Sequence, residues 1–118
     1  MAGPEWQVHL GDDADRDFDD ILDWTARTFG PGQKTVYADA IAAAIRMLAG
    51  GPDAPSAKQR SDIMPGVWTL RVGAIRPRAR HFLLYEVTGP RTIRVLRILH
   101  DNMDLQRHLS DDVWEADP

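Results

Sequence analysis

Residues 92–109, TIRVLRILHDNMDLQRHL, decide how the rest of the chain is read. Their first half, 92–99, carries β-branched and large aliphatic side chains on both parities, the pattern of a strand with apolar neighbours on either face, in the middle of a sheet. The second half opens on Asp101 and Asn102, side chains that cap a helix start by accepting a bond from a free backbone N–H. Met103, Leu105 and Leu109 follow at short helical spacing. The spacing predicts a central strand that runs straight into a helical turn. Arg97, His100, Asp104, Arg107 and His108 concentrate polar chemistry at that junction.

Upstream, two more segments read as strands. In 67–72, Trp68, Leu70 and Val72 alternate with Val67, Thr69 and Arg71, which places Arg71 on the outer face. Residues 81–87 form the next strand, and Thr88-Gly89-Pro90-Arg91 is the turn into the central one. Between them lies GAIRPRAR at 73–80, a basic hairpin tip with Arg76, Arg78 and Arg80 at every second position around Pro77. Trp68, Leu70, Leu83, Tyr85, Leu96 and Ile98 are the expected core shared by sheet and helices.

The N-terminal half reads as one strand and a helical hairpin. Trp6, Val8 and Leu10 alternate with Gln7 and His9, the period of a short, half-buried edge strand. Gly11 breaks it, and Asp12 or Asp13 is positioned to cap a helix over about 14–29, with Phe18, Ile21 or Leu22, Thr25 and Phe29 on its apolar face. Seven aspartates fall between positions 12 and 23, and those in the first turn suit the positive end of the helix dipole. Asp13, Asp15 and Asp17 superficially imitate a calcium loop. Phe18 stands where such a loop needs glycine and Trp24 where it needs glutamate, so calcium is excluded.

Gly30-Pro31-Gly32 then turns the chain into a second helix, whose Tyr37, Ile41, Ala44 and Leu48 recur at helical spacing beside small alanines. Tyr37 reads as a packed aromatic. Gly50, Gly51, Pro52 and Pro55 end this helix, and the polar segment to Asp62 reads as a loop. The final SDDVWEADP is acidic.

At 118 residues the chain is long enough for one core and too short for two, so 1–118 is expected to be a single domain. It has no cysteine, which excludes disulfides and thiolate metal sites, and two histidines at the junction lack the ligand count for zinc. No metal and no cofactor is expected. No run approaches the roughly 20 apolar residues that span a bilayer, and MAGPEWQVHL lacks the basic start and apolar core of a signal peptide, so a cytoplasmic address is expected.

The net charge of −4 hides a strong pattern. Residues 1–55 hold 4 basic and 10 acidic side chains, 56–100 hold 9 and 2, and 101–118 hold 1 and 6. A basic island between acidic flanks generates a directional field that steers an acidic partner.

The succession strand, helical hairpin, three antiparallel strands and terminal helical turn is an α+β layer structure. Several blocks carry a resemblance to the ParE branch of the RelE/ParE toxin superfamily, bacterial toxins of type II toxin–antitoxin pairs. They are WTARTFG at the end of the first helix, Gln33 and Tyr37 opening the second, PGVWTLRVG at 65–73, RHFLLYEV at 80–87 and VLRILHDNMDLQRHL at 95–109. The resemblance implies a RelE/ParE-like fold: an N-terminal strand, a helical hairpin packed on an antiparallel sheet, and a short C-terminal helix. The GAIRPRAR insertion departs from a minimal family hairpin in being longer and more basic.

What the resemblance implies about function divides by target. ParE-like members poison DNA gyrase without being enzymes and are neutralised by a ParD-like antitoxin that itself binds DNA. RelE-like members are ribosome-dependent mRNA endoribonucleases. Several of those have an arginine on the third strand, where this chain has Phe82, and a tyrosine at the chain end, where this chain has none. A nuclease would have to be rebuilt from Arg71, Arg97, His100 and His108, with histidines as acid and base and arginines on the phosphate. The expected function is therefore gyrase inhibition. A messenger-RNA nuclease, or a non-toxic protein-binding member, is the alternative. The expected target- or antitoxin-binding residues are Arg71, Arg76, Arg78, Arg80, Arg97, His100, Met103, Asp104, Arg107 and His108, with the protein partner a hetero-oligomeric antitoxin and no membrane contact.

Overall fold

A computed structural model describes residues 5–72 and 81–100. Strand β5 (Thr92–His100) lies inside the sheet, as its two apolar parities require, with β1 (Gln7–Leu10) on one side and β4 (His81–Gly89) on the other. Beyond β4 come β3 (Val67–Arg71) and the two-residue edge strand β2 (Lys58–Gln59), giving the order β1-β5-β4-β3-β2. The pairs from β2 to β5 are antiparallel, whereas β1 joins β5 in parallel, so the expected antiparallel sheet is a mixed one. The segment expected to be a loop as far as Asp62 contains β2, too short to show any alternation in sequence.

Helix α1 (Asp12–Phe29) starts two residues earlier than its apolar spacing suggests. The residue before its first turn is Gly11, with no side-chain cap, so Asp12 and Asp13 act from inside the first turn by charge. Glycine suits the close approach of β5 there. The Gly11 N–H donates to the Val95 carbonyl at 2.9 Å, and a Cβ at Gly11 would lie 3.3 Å from that same oxygen. Ala14 and Thr25 are buried, with the Thr25 hydroxyl donating to the Ile21 carbonyl at 2.7 Å. Phe29, expected on the buried face, is 62% exposed. It is the last residue of α1, one turn past the point where Thr25 holds the helix down. Gly30 then takes φ 97°, a left-handed turn that favours glycine, and Pro31 opens α2 (Pro31–Met47). Ile41 and Ala44 of α2, and Leu48 in the 3₁₀ turn after it, are buried as their spacing predicts.

The helices cover one face of the sheet over a core of Leu70, Val72, Leu83, Tyr85, Ile93, Val95 and Ile98, with Trp68 packed against it. A second apolar cluster, Val67, Phe82, Leu84 and Leu99, occupies the opposite face with Ile63, Met64 and Leu96 against it. Leu96 is therefore not in the helix-side core. Tyr85 stands opposite Val95 and Leu84 opposite Arg97, which leaves Leu96 as the extra residue of a β-bulge. The bulge flips the parity of β5, so that Ile93 and Val95 before it and Ile98 after it all face the helices. Val67 and Thr69, expected on a solvated outer face, are buried too.

Candidate partner-binding surface

The site is best followed from the end of β1. That strand stops at Leu10, opposite Val95, while β5 continues to His100. The flank of β5 beyond Val95 thus loses its strand partner just where the chain turns into α1. Asp17, one and a half turns into that helix, takes over. Its carboxylate accepts the backbone N–H of Ile98 at 2.9 Å and two bonds from the Arg97 guanidinium, Nε at 2.8 Å and Nη2 at 3.1 Å. The fork matches carboxylate geometry. Side-chain exposure is 12% for Arg97 and 15% for Asp17, so the pair is nearly enclosed.

Arg97, one of the residues expected to bind a partner, is here engaged with Asp17 and largely enclosed. The reason is the open flank of β5, which recruits the charge inward. Asp17 is the residue that sequence reasoning missed. It is one of seven aspartates in a run, and its partner lies 80 residues away, so no local pattern distinguishes it.

His100 sits opposite His81 at the far end of β4 and β5. The two rings meet edge to face at 5.1 Å, and His81 in turn meets the Tyr37 ring of α2 edge to face at 5.9 Å. His81 and His100 therefore belong to the helix side of the sheet, and Tyr37 is a packed aromatic as expected. Arg71, which is exposed, stands opposite Phe82, and directly opposed residues share a face. Since Phe82 belongs to the second cluster, Arg71 and His100 are on opposite faces. Arg76, Arg78, Arg80, Met103, Asp104, Arg107, His108 and the expected C-terminal helical turn lie outside the described residues.

Exposed charge is unevenly placed. Arg71 and Arg94 are exposed on the sheet, and Arg94 stands opposite Glu86, in the row that includes Val67 of the second cluster. On the helix layer Asp12, Asp13, Asp15, Asp19, Asp20 and Asp23 are exposed along α1. Among the described residues no three His, Asp or Glu side chains are grouped as metal ligands, and no helix is long and apolar enough to cross a membrane. Tyr85, the other tyrosine, is fully buried and committed to structure: its hydroxyl donates to the Pro52 carbonyl at 2.6 Å and its ring stacks on Trp68.

Comparison with known proteins agrees with this architecture. The family model described as ParE toxin of type II toxin-antitoxin system, parDE, matches residues 8–105. A protein named Toxin ParE1, from two strains of Mycobacterium tuberculosis, is 34% identical over 109 residues, 92% of this chain and 95% of that protein. A structure of the chromosomal ParDE toxin–antitoxin system from P. aeruginosa superposes with a TM-score of 0.65 at 21% identity, over 83% of this chain and 98% of that one. At that identity the superposition speaks for the fold. The match over most of the chain, together with the strand, helical hairpin and sheet it spans, establishes that this chain belongs to the ParE toxin family of type II toxin–antitoxin systems.

Proposed function

We propose that this chain arrests growth by binding DNA gyrase as a protein inhibitor, and that a ParD-like antitoxin holds it inactive in a hetero-oligomeric complex in the cytoplasm. Family membership supports the toxin reading, and the ParDE system of the structural relative supports an antitoxin partner. The observation that carries the choice of a non-enzymatic mechanism is the fate of Arg97. Its guanidinium is forked onto Asp17 inside the fold, so it is already engaged where a nuclease would need it on a scissile phosphate. Arg71 and His100, on opposite faces of the sheet, add to that argument. Contact with DNA is assigned to the antitoxin, whose acidic segment would meet the exposed Arg71 and Arg94 of the sheet and the arginines of the sequence's basic stretch, Arg76, Arg78 and Arg80.

The test uses the purified chain in two parallel reactions. Gyrase supercoiling is expected to stop, and to resume when a ParD-like antitoxin is added. Messenger RNA in an in-vitro translation reaction is expected to remain intact. Cleaved message with supercoiling untouched overturns the proposal in favour of the endoribonuclease.

A further inference from the structure

Two histidines meet at the end of the β4–β5 ladder. His81 opens β4, His100 closes β5, and the two stand directly opposite one another. Opposed residues project from one face with their Cβ atoms about 4.5–5.5 Å apart, so both imidazoles leave the backbone side by side. His81 is 9% exposed, and the Val72 N–H donates to its carbonyl at 2.9 Å. The Tyr37 ring of α2 packs against it at 5.9 Å. Residues of β3, α2 and β5 thus all hold His81 in place. His100 is only half-buried, so the pair is reached from solvent on that side.

Neutral imidazole is the commonest protein ligand for transition metals. Two imidazoles that share one tetrahedral ion, each with its nitrogen about 2.0–2.1 Å from it, have ring centres about 5 Å apart. The centres of His81 and His100 are 5.1 Å apart. Their planes stand at 90° to one another. Ligation tolerates that angle, because an imidazole turns about its metal–nitrogen bond without lengthening it.

We infer that His81 and His100 are two ligands of a site for a divalent transition-metal ion of the zinc, nickel and copper class, with water completing the coordination. Imidazole selects that class over calcium and magnesium, which take oxygen ligands. Two protein ligands are fewer than structural or catalytic zinc sites have, so the affinity is lower than theirs and the ion exchanges. Bound there, it ties β4 to β5 where β5 ends. The site does not depend on the toxin reading, and it is separate from His9, which stands opposite Arg94 on β1.

The test adds zinc chloride to the full chain after treatment with EDTA, and reads the melting midpoint and the NMR signals of the imidazole nitrogens. Zinc is expected to raise the parent's midpoint by a few degrees, reversibly with EDTA, since an ion that binds only the folded state stabilises it. The His81 and His100 signals are expected to shift together along one saturation curve while those of His9 stay in place. His100→Gln is expected to lose the midpoint response while its metal-free midpoint remains near the parent's. His100→Cys, which restores a zinc ligand, recovers the response, and His9→Gln keeps it. The inference is overturned if zinc leaves the His81 and His100 signals of the parent unmoved, which marks their contact as packing alone. A midpoint response that survives His100→Gln overturns it as well. The NMR measurement decides in the parent protein even where a variant fails to fold.

Discussion

Asp17 shows how much one side chain decides in this protein. Removing it deprives the Arg97 guanidinium, on a side chain only 12% exposed, and the Ile98 backbone N–H of the acceptor they share. Asp17→Ala is expected to cost about 2–4 kcal/mol in urea denaturation, more than an exposed ion pair and in the range of broken enclosed ones. Arg97→Ala should cost a similar amount, and the double variant less than the two added together, because the same interaction is lost once. Any loss of toxicity in Arg97→Ala therefore has to be read against its melting midpoint. Tyr85 makes the corresponding argument for pH. Burial, and secondarily the nearby Asp53 carboxylate, raise its phenol well above the ordinary value of 10.0. Above that value the unfolded chain releases the proton while the folded chain retains it, so stability is expected to fall as pH rises beyond about 10. Tyr85→Phe should be less stable by about 1 kcal/mol near neutrality, from the lost bond to Pro52, and should lose less of its stability at alkaline pH. A steeper alkaline loss in the phenylalanine variant would contradict this account.

At the scale of elements, β5 lies inside the sheet and its bulge sets which of its residues face the helices. Residues 92–99 were legible as a central strand because both parities are apolar, and the structure has two apolar clusters to receive them. Of the two β5 residues expected in the helix-side core, Ile98 is there and Leu96 is not. A bulge comes from how β5 registers on β4, between Leu84 and Tyr85, and strict alternation has no means of announcing it. Ile93→Ala, in the helix-side core and fully buried, is expected to lower stability by about 2–5 kcal/mol, the usual cost of emptying a buried aliphatic site. Leu96→Ala, partly exposed at the bulge, should cost clearly less. Equal losses in thermal denaturation would mean that the second face is packed as tightly as the first.

On the scale of the whole molecule, charge is unevenly placed. The acidic residues concentrate on α1, while Arg71 and Arg94 are exposed on the sheet. Arg71→Glu is expected to weaken the antitoxin complex severalfold at low salt, with the difference shrinking as ionic strength rises. Its melting midpoint should hardly move, since an exposed charge contributes little to folding. A complex equally tight with glutamate at this position, at every salt concentration, would remove the sheet face from the antitoxin interface. That acidic residues gather on α1 was visible in the sequence, because the seven aspartates between positions 12 and 23 stay together when that stretch forms one helix.

By itself the sequence determined the family and every described element but β2: hydrophobic period distinguishes the helical hairpin from the strands, and the blocks at 80–87 and 95–109 carry the resemblance that the comparisons confirm. These are properties of neighbours along the chain. Tertiary structure alone decided that β1 runs parallel to β5, that the extra residue falls at Leu96, that Asp17 occupies the flank β1 leaves open, and that Arg97 points into the fold. The bulge depends on how β4 registers on β5, the others on residues brought together across about 80 positions, and an arginine reads the same in sequence whether its carboxylate partner is on a neighbouring helix or on another protein.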